Sequence, residues 1–600
     1  MEVDSCLVKL CIESATADRD AVDRWRLQRR SLQRLPSPLA SALLHRLLRR
    51  RLLSPSLLEV FKFSVEEIDL SGENSVDAEW MAYIGAYRYL CSLNLAGCNR
   101  INNSAIWPLA GMSTLKELDL SRCVKITNDG IKHVVSILNL EKLYISRTGI
   151  TADGIMLLST LRKLSTLDLG GLPVSDAALC SLQVLTNLEY LDLWGSNITN
   201  NGTATLKNFP KLSFLNLDWT KVSILPTLNS LECLNMSDCS ILSVMADRTD
   251  KVTLRKLDVH GSTFLEGAKA LSSIETSCLS SLNLSNTSFS DFGFLRQMRA
   301  LEHLDLSFSS IQDDAVETLS SICTNLRHLN LNSTKISSIG VEIMAGYAPC
   351  LEILLLSHTS IDDFAIPYFS TMPSLKVLDL SNTNIKGFAR HITQTQDAFC
   401  TLAALEDLRQ LESLDLAGTK VTDSALHVLI RFEALNHLSL NSTPLTDKCL
   451  DHLSSVKKLV NLSMEGTLLT NGALDAFDPP LTLEVLDLRG CWLLTMDALI
   501  PFCKKHPGVV VRHDQLSMPG VDPNCSSSPA SFQKGSKTLK SKQKNRTSSP
   551  ASPFQFRRSV LDQRIKYGRE ELLAFQHRSP PLALPDNVDT GGVVLTDLTD

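Results

Sequence analysis

The sequence has no long apolar run, no large excess of one charge and no paired-cysteine motif. No apolar stretch approaches the roughly 18 residues of a membrane-spanning helix, and the opening MEVDSCLVKLCIESA lacks the basic and apolar regions of a secretory signal. The formal net charge of −6 gives no overall attraction to nucleic acid. None of the 16 cysteines forms a Cys-x-x-Cys pair, which argues against zinc ribbons and thioredoxin-like chemistry. We therefore expect a cytoplasmic protein, with the nucleus left open, whose cysteines are thiols.

Sequence motifs that carry catalysis are also missing. The chain contains no phosphate-binding GxxxxGK[ST] loop, no HExxH zinc motif and no GxSxG nucleophile motif after a strand. We therefore expect no enzymatic activity and no cofactor.

One unit recurs along most of the chain. LKELDLSRCVKITNDGIKHVVSILN (115–139) is followed by LEKLYISRTGITADGIMLLSTLRK, and each unit has an x-x-L-x-L segment, a turn and an amphipathic helical stretch. Eighteen units, mostly 24–25 residues apart, begin at Val65, Leu90, Leu115, Leu140, Leu164, Leu188, Leu212, Leu231, Leu254, Leu279, Leu301, Leu326, Leu351, Leu375, Leu411, Leu435, Leu459 and Leu483. The Leu212 unit has only 19 residues, whereas the Leu375 unit has 36. For the insert around ARHITQTQDAFC we favour one extra helical turn over a functional loop.

The pattern resembles the leucine-rich repeat. This resemblance implies an α/β solenoid, a ribonuclease-inhibitor-like horseshoe of about 18 repeats. We assign residues 1–62 to a helical N-terminal cap, 63–513 to the repeats and 514–600 to a disordered tail, because the tail is rich in Ser, Lys and Pro.

The ninth residue of nearly every unit is Cys, Thr or Ser; Glu73 and Leu172 are the exceptions. A small donor there is predicted to hydrogen-bond the backbone of the turn. The cysteines at this position are therefore expected to be structural; they are Cys98, Cys123, Cys239 and Cys491. This row resembles the cysteine-containing intracellular repeats of F-box and related ubiquitin-ligase receptors.

The strand positions that face solvent suggest two binding features. The fifth residue is usually Asp or Asn, at Asp69, Asn94, Asp119, Asp168, Asp192, Asn216, Asn235, Asp258, Asn283, Asp305, Asn330, Asp379, Asp415 and Asp487. Capping of nearby amides is the favoured interpretation, and an acidic groove for a basic partner is the alternative. An aromatic cluster spans four consecutive units, with Tyr144, Tyr190, Trp194, Phe214 and Trp219. Grouped exposed aromatics are typical of a binding hot spot, unless the rings only cover one another.

Three histidines follow the aromatic cluster at a spacing that the repeat sets. They are His303, His328 and His358. We expect no metal site there.

The N-terminal segment resembles an adaptor-binding box. In CLVKLCIESA (6–15), Leu7, Cys11 and Ala15 share one helical stripe, as in the BC box that binds elongin C. LPSPLASALLHRLLRRRLLSPSLLEVF (35–61) resembles the cullin box, and also a degenerate F-box that would bind a Skp-type adaptor. The resemblance to Zyg-type receptors implies docking through Leu7, Cys11, Leu35, Pro36, Leu39 and Leu43. Cys6 replaces the usual Ser or Thr, Ala15 is small for an anchor and no F-box Trp follows. A cap that seals the first repeat is the alternative, and it is compatible with docking.

A short motif lies in the tail. RIKYGREELLAFQ (564–576) fits Y-x4-L-Φ through Tyr567, Leu572 and Leu573. It resembles the motif by which initiation-factor scaffolds and translational repressors bind the mRNA cap-binding initiation factor.

These features predict a protein that recognises other proteins without catalysis. The leading hypothesis is a substrate receptor of a cullin-type ubiquitin ligase. The alternatives are a translation regulator that binds the cap-binding factor through its tail and a plain scaffold. We expect no direct binding to nucleic acid or membrane.

Overall fold

The structure is a computed structural model that describes residues 6–26, 35–246, 251–390 and 398–516. The chain divides into two compact units, Met1–Ser413 and Leu414–Asp600. The tail motif at Tyr567, Leu572 and Leu573 lies outside the described residues. None of the helices in the described ranges is long and apolar enough to span a membrane.

Short parallel strands, one per repeat, form the backbone ladder of the first unit. Each strand pairs with the next in a register that aligns the third, fourth and fifth residues of adjacent repeats. The strands are Glu67–Asp69, Ser92–Asn94, Glu117–Asp119, Lys142–Tyr144, Thr166–Asp168, Tyr190–Asp192, Phe214–Asn216, Cys233–Asn235, Lys256–Asp258, Ser281–Asn283, His303–Asp305, His328–Asn330, Ile353–Leu355 and Val377–Asp379. The central residue of each strand, which is Ile68 in the first strand and leucine in the others, is buried, because it alternates with residues that face solvent.

The second unit repeats the pattern. Its strands are Ser413–Asp415, which starts at the last residue of the first unit, and then His437–Ser439, Asn461–Ser463, Val485–Asp487 and Val510–Arg512. The last strand pairs in parallel with Val485–Asp487 and was not predicted, because its VVR sequence lacks the leucine that marks the other repeats. The leucine-rich repeat fold is thus confirmed, and the described part of the chain has one repeat strand more than the predicted eighteen.

Helical segments return the chain from one strand to the next. The α-helices of the repeats are Ala78–Ile84, Asn103–Ile106, Asn128–Val134, Ala152–Met156, Asp176–Ser181, Asn200–Thr203, Asp313–Ser320, Ser338–Met344, Ile366–Phe369, Cys449–Leu453, Asn471–Ala476 and Met496–Lys505. The 3-10 helices of the repeats are Trp107–Leu109, Leu157–Thr160, Leu182–Val184, Ala204–Asn208, Gly267–Leu271, Gly293–Gln297, Thr401–Asp407 and Asp423–Arg431. Their apolar faces pack on the strand leucines and complete the core.

The two irregular spacings have structural causes. In the short Leu212 unit an extended segment, Ile224–Leu225, takes the place of the last helical turn and pairs in parallel with Ser243–Met245. A second short pair, Ser240–Ile241 with Thr263–Phe264, follows. In the long Leu375 unit, Phe388–Arg390 pairs antiparallel with Ala398–Cys400, so the expected extra helical turn is wrong.

A buried carboxylate holds the base of this hairpin. Asp363 accepts hydrogen bonds from the amides of Lys386 (2.9 Å) and Gly387 (2.8 Å). It also accepts one from Thr401 Oγ1 (2.7 Å). These donors lie on both sides of the insert, so one side chain closes it.

The ninth residue behaves largely as predicted. Threonine hydroxyls donate within their own repeat, as from Thr220 to the Leu217 carbonyl (2.7 Å). Cysteine thiols donate to the preceding repeat, as from Cys239 to the same carbonyl (3.3 Å). The other three cysteines follow this rule; they are Cys98, Cys123 and Cys491. The buried hydroxyls of Ser196 and Ser309 have no partner among the described groups, so the prediction fails there.

The N-terminal segment consists of short helices before the first strand. Among the described residues of this segment, α1 (Cys6–Ala15), α2 (Arg19–Arg26) and α3 (Ser37–Arg49) come first. They are followed by Pro55–Leu58 and the 3-10 turn Glu59–Phe61. The buried phenol of Tyr87 donates to the Leu58 carbonyl (2.7 Å) and so ties this segment to the first repeat.

Candidate functional site

The Asp and Asn side chains at the fifth strand position cap the turn. All fourteen accept a hydrogen bond from the amide two residues further on, as Asp192 does from Trp194 (3.0 Å). The favoured structural interpretation is therefore confirmed. The carboxylates among them still carry negative charge on the solvent-facing side of the ladder.

Two of the predicted aromatics form a flat apolar platform. Tyr190 and Phe214 lie directly opposite each other on adjacent strands. Their ring centroids are 4.2 Å apart and their planes differ by 5°. Both rings are half-buried. Burial of Tyr190, together with the nearby charges of Asp192 and Asp168, raises the pKa of its phenol to about 12. It stays a neutral phenol at physiological pH.

Trp194 is already engaged within the chain. Its indole lies over the backbone of Gly170, where an added Cβ would come within 2.2 Å of Nε1. The guanidinium of Arg147 lies 4.8 Å from the indole centroid, a cation–π contact. The sequence identified the tryptophan but not its partner, because Arg147 belongs to another repeat.

Trp219 stands apart from these contacts and is 65% exposed. Its φ of +56° is left-handed. The eighth position is left-handed in all eighteen predicted repeats, and glycine occupies eight of them. A bulky residue in this conformation costs roughly 1–2 kcal/mol. The indole of Trp219 is therefore exposed to solvent, and its left-handed backbone lowers the stability of the folded protein.

Tyr144 occupies a different column from the platform. In register it lies between Asp119 and Asp168 and is half-buried. Burial raises its pKa. We call the surface formed by Tyr144, Tyr190, Trp194, Phe214 and Trp219 the aromatic face.

No sequence pattern marks Asp218 as a site residue. It precedes Trp219 at the seventh position, where most repeats carry a small or neutral polar residue. Its Oδ1 atom is buried and has no hydrogen-bond partner among the described groups. Burial, followed by the charges of Asp238 and Asp258, raises the pKa of Asp218 to about 6. Asp218 thus places a poorly stabilised negative charge next to Trp219 of the aromatic face.

The predicted adaptor residues converge on one apolar groove between α1 and α3. A cavity of about 260 Å³ is lined by Leu7, Val8, Cys11, Ile12, Ala15, Leu35, Leu39 and Leu43. We call it the cap groove. Arg50 Nη1 donates to the Thr16 carbonyl (2.7 Å), and Arg46 pairs with Glu13 (3.2 Å), so both helices are tied across it. Pro36 precedes α3 and is not among the lining residues.

The histidines divide into a pair and a separate residue. His303 and His328 meet edge to face, with centroids 4.3 Å apart. His358 lies at the left-handed turn position, with a φ of +57°. The repeat geometry explains all three placements.

Comparison with known proteins identifies the repeat. A sequence profile of the leucine-rich repeat matches residues 111–134, 297–320 and 323–345. No curated protein sequence matches the chain significantly.

Several solved structures are similar to this chain. A leucine-rich repeat protein of Leptospira interrogans has 17% identity over 74% of this chain and 95% of that one, with a TM-score of 0.40. An internalin of Listeria monocytogenes has 22% identity, coverage of 55% and 82%, and a TM-score of 0.36. The ectodomain of the Arabidopsis thaliana receptor kinase GASSHO1/SCHENGEN3, solved with CASPARIAN STRIP INTEGRITY FACTOR 2, has 16% identity, coverage of 77% and 57%, and a TM-score of 0.43. The matched repeats, the period of the sequence and the parallel strand ladder together establish the leucine-rich repeat fold of this chain.

Proposed function

We propose that the protein is a substrate receptor of a cullin-type ubiquitin ligase. The cap groove docks the adaptor, which is elongin C or a Skp-type protein, and the aromatic face recognises the target. The observation that carries the proposal is the convergence of Leu7, Cys11, Leu35, Leu39 and Leu43 on one groove. These residues come from two separate sequence motifs that resemble the BC box and the cullin box.

The cap groove has the chemistry that an apolar helix of an adaptor needs. Its lining is almost wholly apolar, and Leu7 is 72% exposed. Burying one leucine side chain contributes about 1.5–3 kcal/mol. A cap that only sealed the first repeat would gain nothing from exposing this side chain, whereas Leu57, Leu58 and Phe61, which come just before the first strand, are buried.

Co-purification with the full-length protein tests the proposal. Leu7→Asp places a charge in the cap groove and is expected to remove elongin C or the Skp-type adaptor, together with the cullin. Leu10→Asp is the matched control, because Leu10 is exposed on the same helix but does not line the groove. Retention of the adaptor by Leu7→Asp, or its absence from the wild-type preparation, would contradict the proposal.

The tail motif supports a second function, binding of the cap-binding initiation factor. The supporting observation is the Y-x4-L-Φ spacing of Tyr567, Leu572 and Leu573 beside basic residues. A segment of this length does not form a stable helix by itself in water, so we expect the motif to become helical only when it binds its partner. A peptide of residues 560–580 should bind the factor in calorimetry, and Tyr567→Ala should remove that binding. The absence of heat from the wild-type peptide would make the match a coincidence.

A further inference from the structure

Trp219 and Asp218 are adjacent residues, and the side chain of each lacks a stabilising contact within the described chain. The indole is mostly exposed on a left-handed residue, and the carboxylate has a buried oxygen without a partner. Neither feature stabilises the free protein. An unpaired polar atom beside an exposed aromatic ring is a candidate for contact with a ligand.

The charge around this pair is not neutralised within the described chain. Asp192, Asp238 and Asp258 lie near Asp218, and no ion pair joins any of these four carboxylates to another described residue. His260 also lies nearby, and its Nδ1 lies 2.7 Å from Ser285 Oγ. A cation beside Asp218 would relieve the repulsion. An anionic or purely apolar partner would leave the carboxylates desolvated and unpaired.

The same face already shows how it holds a cation. Arg147 lies over the Trp194 ring within the chain. A cation over the face of an indole is stabilised by about 0.5–2 kcal/mol. Trp219 offers the same ring to an outside cation, with an unpaired carboxylate on the adjacent residue. Arginine is the natural occupant, because its guanidinium stacks on aromatic rings and donates to carboxylates at the same time.

We propose that the aromatic face binds a basic segment of its protein partner by holding an arginine side chain between the Trp219 indole and the Asp218 carboxylate. The Tyr190–Phe214 platform receives apolar parts of the same segment. This inference rests on the proposed role of the aromatic face in recognition. It adds the chemical class of the partner.

Binding of a labelled hexa-arginine peptide to the full-length protein tests the inference by fluorescence anisotropy. Hexa-citrulline is the matched peptide control, because citrulline keeps the shape of arginine and removes its charge. The wild type is expected to prefer arginine. Trp219→Ala should weaken hexa-arginine binding by about 2- to 30-fold, the range of a cation–π contact. Asp218→Asn should weaken it in the same direction and reduce its dependence on salt.

Phe308→Ala is the matched protein control. Phe308 occupies the same turn position with the same φ of +56° and is 64% exposed, but Ser307 precedes it in place of an aspartate. Unchanged affinity in this variant supports the inference. Equal binding of the two peptides by the wild type, or equal weakening by Phe308→Ala and Trp219→Ala, would overturn it.

Adaptor co-purification separates this inference from the ligase role. Adaptor binding with no preference for arginine removes the arginine site and leaves the ligase proposal intact. Preference for arginine without an adaptor supports the site and removes the ligase.

Discussion

At the scale of single residues, Asp218 links stability to pH. Its folded pKa of about 6 lies above the ordinary value because burial and the neighbouring carboxylates oppose its charge. The folded protein therefore binds this proton more tightly than the unfolded chain does, and stability is lost as the pH rises through about 6. Asp218→Asn removes the charge, so it is expected to raise Tm at pH 7.5. The gain should shrink as the pH falls toward 4.

Thermal unfolding at both pH values checks this prediction, and Asp129→Asn provides a control of opposite sign. A hydrogen bond and an ion pair with Lys132 lower the pKa of the exposed Asp129, so losing its charge should not stabilise the protein. A fall in Tm for Asp218→Asn at pH 7.5 would contradict the assignment. A rise in Tm combined with weaker arginine binding would show that Asp218 is kept for recognition at a cost in stability.

Side-chain interactions between residues that are close in sequence could be predicted from the sequence. The fifth-position Asp and Asn side chains cap an amide two residues away, so their spacing alone predicts the bond. Trp194 and Arg147 are 47 positions apart, and only the stacking of repeats brings them together. Trp219 was recognised as aromatic, but its left-handed backbone was not, because glycine marks that position in fewer than half of the repeats.

At the scale of elements, Asp363 is expected to hold the inserted hairpin. Asp363→Ala leaves two backbone amides and a threonine hydroxyl without their acceptor. Hydrogen bonds to a charged group contribute about 1.5–3 kcal/mol each, so the local loss should exceed about 3 kcal/mol. Hydrogen exchange at the Lys386 and Gly387 amides should accelerate strongly, and cleavage by protease should increase between residues 386 and 401.

Asp362→Ala is the adjacent control for the hairpin. The Asp362 carboxylate accepts a hydrogen bond from Ser338 Oγ (2.6 Å), which lies outside the insert. Its removal should leave exchange at Lys386 and Gly387 unchanged. Equal acceleration in both variants would mean that the hairpin depends on the repeat as a whole and not on Asp363.

The repeat period predicted the strands and helices wherever leucine marks the repeat. It did not predict the inserted hairpin or the last strand, where the leucine pattern is interrupted. The hairpin depends on a buried side chain in the preceding repeat, so the insert sequence alone does not reveal it. The strand Val510–Arg512 depends on the exposed edge of Val485–Asp487. Backbone pairing forms it without a leucine. The cap groove was predictable as two apolar stripes, but their convergence depends on the packing of α1 against α3.

At the scale of the whole molecule, each repeat contacts its neighbours in the ladder. A destabilising substitution in one repeat should therefore affect that repeat and its neighbours and leave distant repeats unchanged. Tyr87→Phe removes the buried hydroxyl that donates to the Leu58 carbonyl. Leaving that acceptor unpaired should cost about 1–3 kcal/mol. Hydrogen exchange is expected to accelerate in Pro55–Phe61 and in the first repeats, while the amides from Leu188 to Leu378 keep the wild-type rates. Tyr89→Phe, on a tyrosine that is 55% exposed, should change neither region. Uniform acceleration throughout residues 55–413 would instead show that this unit opens as one cooperative body, and the nearest-neighbour description of its stability would be wrong.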